Sequence, residues 1–263
     1  MKVSVMSKIP ADFNLPQFVR DVLSPNQYRL DDRFVLRDGK RHPFAILCPG
    51  GAYWMVCSYI EGVPIARKLN KAGYSAFILH YRTKEKALYP APQDDLAMAV
   101  KDIFLNAKQY SLDTSHYSIW GFSAGGHLAA SFGTEHMGYK RYSLPKPATL
   151  VLSYPVVSMK RSLTHQGTHD NLLGKDATPE REIYASVEEH ITPSYPPTFI
   201  WCGDADDAVS PENTKRMSAA LEKAGVPCRC MIFPGVGHGV GPGSKSVAEG
   251  WINQAIDFWR NRS

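Results

Sequence analysis

Tyr117-Ser118-Ile119-Trp120-Gly121-Phe122-Ser123-Ala124-Gly125-Gly126-His127-Leu128-Ala129-Ala130 carries the reading of the fold. The apolar run Tyr117–Trp120 suits a strand covered on both faces, and the small residues from Gly126 to Ala130 suit a closely packed helix. Between them, Gly121-Phe122-Ser123-Ala124-Gly125 fits G-x-S-x-G. A serine hydroxyl is a poor nucleophile unless it is exposed, uncrowded and beside a base. A sharp strand-to-helix turn exposes it, and glycines on either side let the backbones pass closely. The helix start after Ser123, beginning with the Ala124 N–H, can also face a developing negative charge.

Outward from this turn, short runs rich in β-branched and aromatic residues alternate with helical patterns. The runs are Ala45–Cys48, Ser75–His80, Thr149–Ser153, Thr198–Cys202 and Arg229–Phe233. Ile65, Ala66, Lys68 and Leu69 have helical spacing and stop at Gly73. Leu96, Ala99, Val100, Ile103 and Phe104 follow the acidic pair Asp94-Asp95, which suits a helix N-terminus. Pro211-Glu212 opens a helix that ends at Gly225, and Val247 to Trp259 carries the last one. This alternation predicts an α/β fold with a mostly parallel central sheet and helices on both faces. Residues Arg33–Leu36, turned by Asp38-Gly39, are expected to supply antiparallel edge strands. The segment 156–196 has no clean strand and reads as a cap-like insertion over the site within a single domain, 1–263.

Composition narrows the function. At 44% hydrophobic and 11% aromatic the chain can bury a large core, so disorder is excluded as its main state. Its net charge of +5 comes from scattered residues, so no nucleic-acid surface is expected. No apolar run is long enough to span a bilayer, and Met1–Pro10 lacks the apolar core of a signal peptide. Five cysteines in no metal-binding or disulfide pattern read as free thiols in a reducing compartment. The expectation is a soluble cytoplasmic protein that binds neither membrane nor nucleic acid and needs no metal.

A nucleophilic serine needs charge stabilisation, a base and an acid. Cys48-Pro49-Gly50-Gly51-Ala52-Tyr53 directly follows a strand, and consecutive glycines allow its N–H groups to point into a site. Of nine histidines, His238 sits beyond the last strand on the glycine-rich loop Phe233-Pro234-Gly235-Val236-Gly237-His238-Gly239, which can reach the C-terminal edge of the sheet. His80 precedes Ser123, and His127 reads as a packing or capping residue. His42, His116, His136 and His190 have surface contexts. For the acid, Gly203-Asp204-Ala205-Asp206-Asp207 follows a strand; Asp206 is favoured, with Asp204 and Asp207 as rivals. The chain order is then Ser…Asp…His.

With these residues in place the sequence resembles the α/β-hydrolase superfamily, and within it the small acetyl-esterase and xylan-esterase-like group of carboxylesterases and lipases. The likeness runs through Pro49–Tyr53, Glu61-Gly62, Leu79–Arg82, Pro92–Leu96, Gly121–Ala129, Asn171–Gly174, Pro196–Phe199 and Gly237–Gly239. It implies Ser123, Asp206 and His238 as triad and Gly51, Ala52 and Ala124 as oxyanion hole. Related esterases usually have histidine at the Pro49 position and often a third glycine at Ala52; because the donors are backbone groups, these changes are expected to matter little. The resemblance further implies two-step acyl transfer without cofactor, on a small-molecule ester carrying short acyl groups such as acetyl on a sugar or xylo-oligosaccharide. In the cytoplasm the substrates would be imported oligosaccharides or small esters.

A serine peptidase, a thioesterase and a non-catalytic binding protein on the same fold are the alternatives. Tyr53, Trp54, His165 and His169 are the candidate pocket residues. Trp251, Phe258 and Trp259 read as core or as a homodimer face, and Glu61 as a helix cap or a group near the site.

Overall fold

The structure is a computed structural model and describes residues 28–262. The N-terminal stretch Met1–Pro10 lies outside them. Seven strands form one sheet: β1 (Arg29–Phe34), β2 (His42–Cys48), β3 (Ser75–His80), β4 (Leu112–Phe122), β5 (Thr149–Ser153), β6 (Thr198–Gly203) and β7 (Cys228–Phe233). Their spatial order is β1-β3-β2-β4-β5-β6-β7. Every pairing is parallel except that of β1 with β3.

The helices are α1 (Val63–Lys71), α2 (Ala91–Leu105), α3 (Ser123–Gly133), α4 (Gln166–Leu173), α5 (Pro179–Ala185), α6 (Glu212–Lys223) and α7 (Trp251–Arg260). Chain direction decides their faces. From β2 the chain steps one way to β3, and from β3 it steps back across β2 to β4 and onward. Crossovers of one hand must then place α1 opposite α2, α3 and α6. The core divides accordingly. Phe44, Ile46, Phe77, Leu79, Tyr117 and Ile119 pack with Leu96, Val100, Leu128 and Met217 on one face. Ala45, Leu47, Ala76, Ile78, Trp120 and Phe122 pack with Ile65, Leu69, Trp251 and Ile256 on the other. Strand residues alternate between the two sets, which is why the runs are apolar throughout.

Differences from the sequence reading lie at the margins. A single antiparallel strand borders the sheet, and it is Arg29–Phe34 rather than Arg33–Leu36. Its register pairs Arg29 with His80 and Leu30 with Leu79, so the edge forms against β3 and not through a hairpin at Asp38-Gly39. Strand β4 begins at Leu112, earlier than Tyr117, because Leu112 and Asp113 pair with His42 and Pro43 before a register shift. Segment 156–196 holds α4, α5 and a 3-10 turn, Val187–His190. Trp251 and Trp259 are fully buried in the core beneath α7.

The order also creates the site. β2 and β4 are neighbours whose chains leave in opposite directions, and Cys48 pairs with Gly121 at their C-terminal ends. That reversal opens a crevice at the carboxyl edge, where ligands bind in open α/β sheets.

Candidate active site

Ser123 ends the β4 turn and starts α3, with a left-handed backbone (φ 52°). Such a conformation costs a non-glycine residue on the order of 1 kcal/mol, so packing must impose it. The imposition is visible in the flanking glycines. A Cβ on Gly125 would lie 2.0 Å from the Cys48 carbonyl oxygen, and one on Gly121 would lie 2.3 Å from the Gly125 oxygen. Only residues without side chains let α3 dock this closely on the end of β2.

His238 lies on the loop after β7 with Nε2 2.8 Å from Ser123 Oγ and Nδ1 2.7 Å from Asp206 Oδ2. A carboxylate accepts, so Nδ1 carries the proton and the Nε2 lone pair faces the serine hydroxyl, which donates to it. Asp206 is buried at 7% exposure, and its Oδ1 accepts the N–H groups of Ala208 (3.1 Å) and Val209 (2.8 Å). Asp204 is turned away: its Oδ1 accepts the Gly235 N–H and ties the two loops together. Asp207 is exposed. Of the three aspartates, the structure brings only Asp206 to His238. Among the other histidines, His80 is half-buried and His127 fully buried, and burial pushes each down to about 4.

After β2 the chain turns through Gly51 (φ 123°), Ala52 (φ 56°) and Tyr53 (φ 57°). Gly51 and Ala52 thus reach the cavity wall beside Ser123. The left-handed Ala52 explains why a glycine suits this position: alanine pays about 1 kcal/mol for a conformation glycine adopts freely. The side-chain change there therefore carries an energetic cost, although the N–H remains.

Glu61 closes the loop's far side. Its Oε2 accepts the Gly50 N–H at 2.6 Å and its Oε1 accepts the Tyr154 hydroxyl at 3.0 Å. The Tyr154 oxygen in turn accepts the Gly241 N–H at 3.1 Å, and its ring packs edge-on against His238, centroids 4.9 Å apart. One buried carboxyl so links the loop after β2 to the loop carrying His238. Burial raises it above the usual carboxylate range, while the Gly50 and Tyr154 hydrogen bonds oppose that shift.

These groups surround a cavity of about 240 Å³ whose remaining wall includes Cys57, Ile60, His165, Ala208 and Val209. Of the pocket candidates, only His165 lines it. Tyr53 is fully buried behind the wall, its hydroxyl 2.9 Å from His127 Nδ1, because the left-handed turn throws the side chain inward. Trp54 is half-exposed outside, with Lys84 Nζ 5.3 Å from its ring centre. His169 is buried between Asp170 (2.9 Å) and Glu182 (3.1 Å), a partner supplied by α5. Sequence reasoning left Glu61 open and missed Tyr154, Ile60, Cys57 and Val209. Glu61 before Gly62 was the one local signal, an acidic residue just past the glycine loop.

A serine hydroxyl hydrogen-bonded to an imidazole, itself oriented by a carboxylate, and set beside backbone donors can perform acyl transfer. Among the described residues, no cluster of three or more histidine, cysteine, aspartate or glutamate side chains could hold a metal. No helix among them is long and apolar enough to cross a membrane.

The model of the BD-FAE family matches residues 36–221. The chain is 29% identical over 257 residues to endo-1,4-beta-xylanase B from Butyrivibrio fibrisolvens, covering 90% of this chain and 40% of that protein. It is 30% identical over 219 residues to an acetylxylan esterase from Xylanibacter ruminicola, covering 80% and 44%. The chain thus spans less than half the length of these curated relatives. Among solved structures, the acetyl ester-xyloside bifunctional hydrolase from Caldicellulosiruptor lactoaceticus superposes with a TM-score of 0.82 at 29% identity, covering 97% of this chain and 93% of that one.

Proposed function

The chain belongs to the BD-FAE family, and from that premise we propose that it is a serine esterase that removes short acyl groups, acetyl foremost, from hydroxyls of sugars or xylo-oligosaccharides. The observation that carries this reading is the unbroken chain Ser123 Oγ, His238, Asp206, opening on the cavity between β2 and β4. The names of an acetylxylan esterase and an acetyl ester-xyloside hydrolase among the relatives support acetylated xylosides as the substrate class. Five unpaired cysteines support a reducing compartment, with imported oligosaccharides as substrates.

In the proposed mechanism Ser123 attacks the ester carbonyl while His238 Nε2 takes its proton. Asp206 holds the imidazolium, and the N–H groups of Gly51, Ala52 and Ala124 stabilise the oxyanion, each good donor contributing about 3 kcal/mol. His238 then protonates the leaving alcohol, whose departure leaves an acyl-Ser123. A water deprotonated by His238 attacks that acyl group, and the acid departs as Ser123 regains its proton.

Hydrolysis of p-nitrophenyl esters with acyl chains of two to eight carbons tests the reading, with Ser123→Ala beside the wild type. The expected result is serine-dependent turnover highest at acetate. A maximum at longer chains would replace the short-acyl reading with a general carboxylesterase, and turnover confined to peptides or thioesters would remove the esterase altogether.

Glu61 is expected to act through the oxyanion loop. Glu61→Ala strands the Gly50 N–H and the Tyr154 hydroxyl, each costing about 1–3 kcal/mol when buried and unpaired. The loop can then drift, and displacing one oxyanion donor costs on the order of 10²-fold in kcat. Glu61→Gln, which keeps one acceptor and the volume, should fall between. Wild-type kcat in Glu61→Ala, with only a lowered Tm, would make Glu61 a structural residue.

A further inference from the structure

His165 precedes α4 in the segment between β5 and β6, and its side chain caps that helix. Nδ1 accepts the Thr168 N–H at 3.2 Å and lies 2.9 Å from the Thr168 hydroxyl. A backbone N–H can only donate, so Nδ1 must keep its lone pair, and the proton of the neutral ring sits on Nε2. Burial and the nearby His238 hold His165 below the usual histidine range, which keeps the ring neutral near pH 7. The ring is also confined: a Cβ on Gly167 would stand 3.1 Å from Cε1. The imidazole lines the cavity that contains Ser123, and no hydrogen bond to Nε2 occurs among the described residues.

The cavity therefore holds a fixed donor that the acyl-transfer steps do not use. In an acetyl ester the carbonyl oxygen goes to the oxyanion loop and the methyl group has no acceptor. The acceptors that remain belong to the alcohol. Outside the triad, the other polar side chains on the wall are Glu61, whose oxygens are engaged by Gly50 and Tyr154, and Cys57, whose thiol is only a weak donor. Ala52, Ile60, Ala208 and Val209 offer no side-chain polar atom. We propose that His165 is a specificity-determining residue whose Nε2–H donates to an oxygen on the alcohol half of the ester, a hydroxyl or ring oxygen of a sugar. This deepens the esterase reading and rests on it.

Two substitutions separate the cap from the donor. His165→Asn preserves an acceptor for the Thr168 N–H, since asparagine is a good helix cap, but is too short to replace Nε2. His165→Gln places an amide N–H near the Nε2 position and gives up the cap. Kinetics would be measured on an acetylated methyl xyloside and on phenyl acetate, whose alcohol carries no second oxygen. For His165→Asn, KM for the xyloside should rise about tenfold with kcat within about twofold, the pattern of lost uniform binding, while phenyl acetate is unaffected. His165→Gln should keep a xyloside KM nearer the wild type despite a lower Tm. A purely structural role reverses this ranking, with asparagine harmless and glutamine harmful on both esters, and that result would overturn the proposal. So would wild-type turnover of phenyl acetate without the xyloside. Absence of Ser123-dependent turnover on both esters would instead overturn the esterase reading beneath it.

Discussion

Ser123→Ala is expected to lower kcat/KM for p-nitrophenyl acetate by roughly 10⁵-fold, the scale on which triad nucleophiles act. The substitution removes one oxygen atom from a residue only 9% exposed and adds no volume. Its left-handed backbone is imposed by the docking of α3 on β2, which the change leaves alone. The lost interaction is the 2.8 Å hydrogen bond to His238, about 1 kcal/mol in a neutral pair. Tm should therefore stay within a few degrees of the wild type. Activity and stability must separate in this variant. Labelling adds a second readout, since a serine-directed phosphonate should form an adduct with the wild type and none with Ser123→Ala. Turnover within tenfold of the wild type would place the nucleophile elsewhere.

How far the sequence disclosed this arrangement depended on whether each signal was local. Strands β2, β3, β5 and β6 were legible because burial on both faces demands continuous apolar runs. Strand β1 was displaced by four residues at its start, because its pairing with β3 is set across the sheet and the polar Asp31 and Asp32 interrupt its run. Ser123 and His238 stood out through glycines that tight turns require, and the structure sets the two side chains within hydrogen-bonding distance. Of the pocket, only His165 was legible. Whether Tyr53 or Ile60 faces the cavity depends on the left-handed pair Ala52–Tyr53, and backbone handedness at a non-glycine residue leaves no mark in composition. His165 and His169 looked equivalent, four residues apart at the start of one helix. The Thr168 cap holds the first against the cavity, while Glu182 of α5 draws the second into the interior. That choice belongs to the packing of two helices, beyond the reach of spacing.

Among the three aspartates of the β6–α6 loop the sequence favoured Asp206 but left Asp204 and Asp207 as rivals, and their surroundings now predict different outcomes. Asp206→Asn is expected to cost roughly 10⁴ in kcat/KM, and the reason lies in which way the amide must face. Asp206 Oδ1 accepts the N–H groups of Ala208 and Val209, and only the amide oxygen of asparagine can replace it there. The amide nitrogen then takes the place of Oδ2, 2.7 Å from His238 Nδ1, and donates to it. His238 must give up the Nδ1 proton and carry it on Nε2, where it confronts the Ser123 hydroxyl with a donor instead of a base. The fold should tolerate the change, because every hydrogen bond in the loop is kept with one reversed. Asp204→Asn should behave differently. It weakens the contact that anchors Gly235 and should lower Tm, leaving kcat/KM within about tenfold because Asp204 does not touch His238. Asp207→Asn, at an exposed position, should change neither. Steady-state kinetics and thermal melts on the three variants check the ranking. A loss at Asp204 or Asp207 exceeding that at Asp206 would mean that another carboxylate orients His238 during turnover.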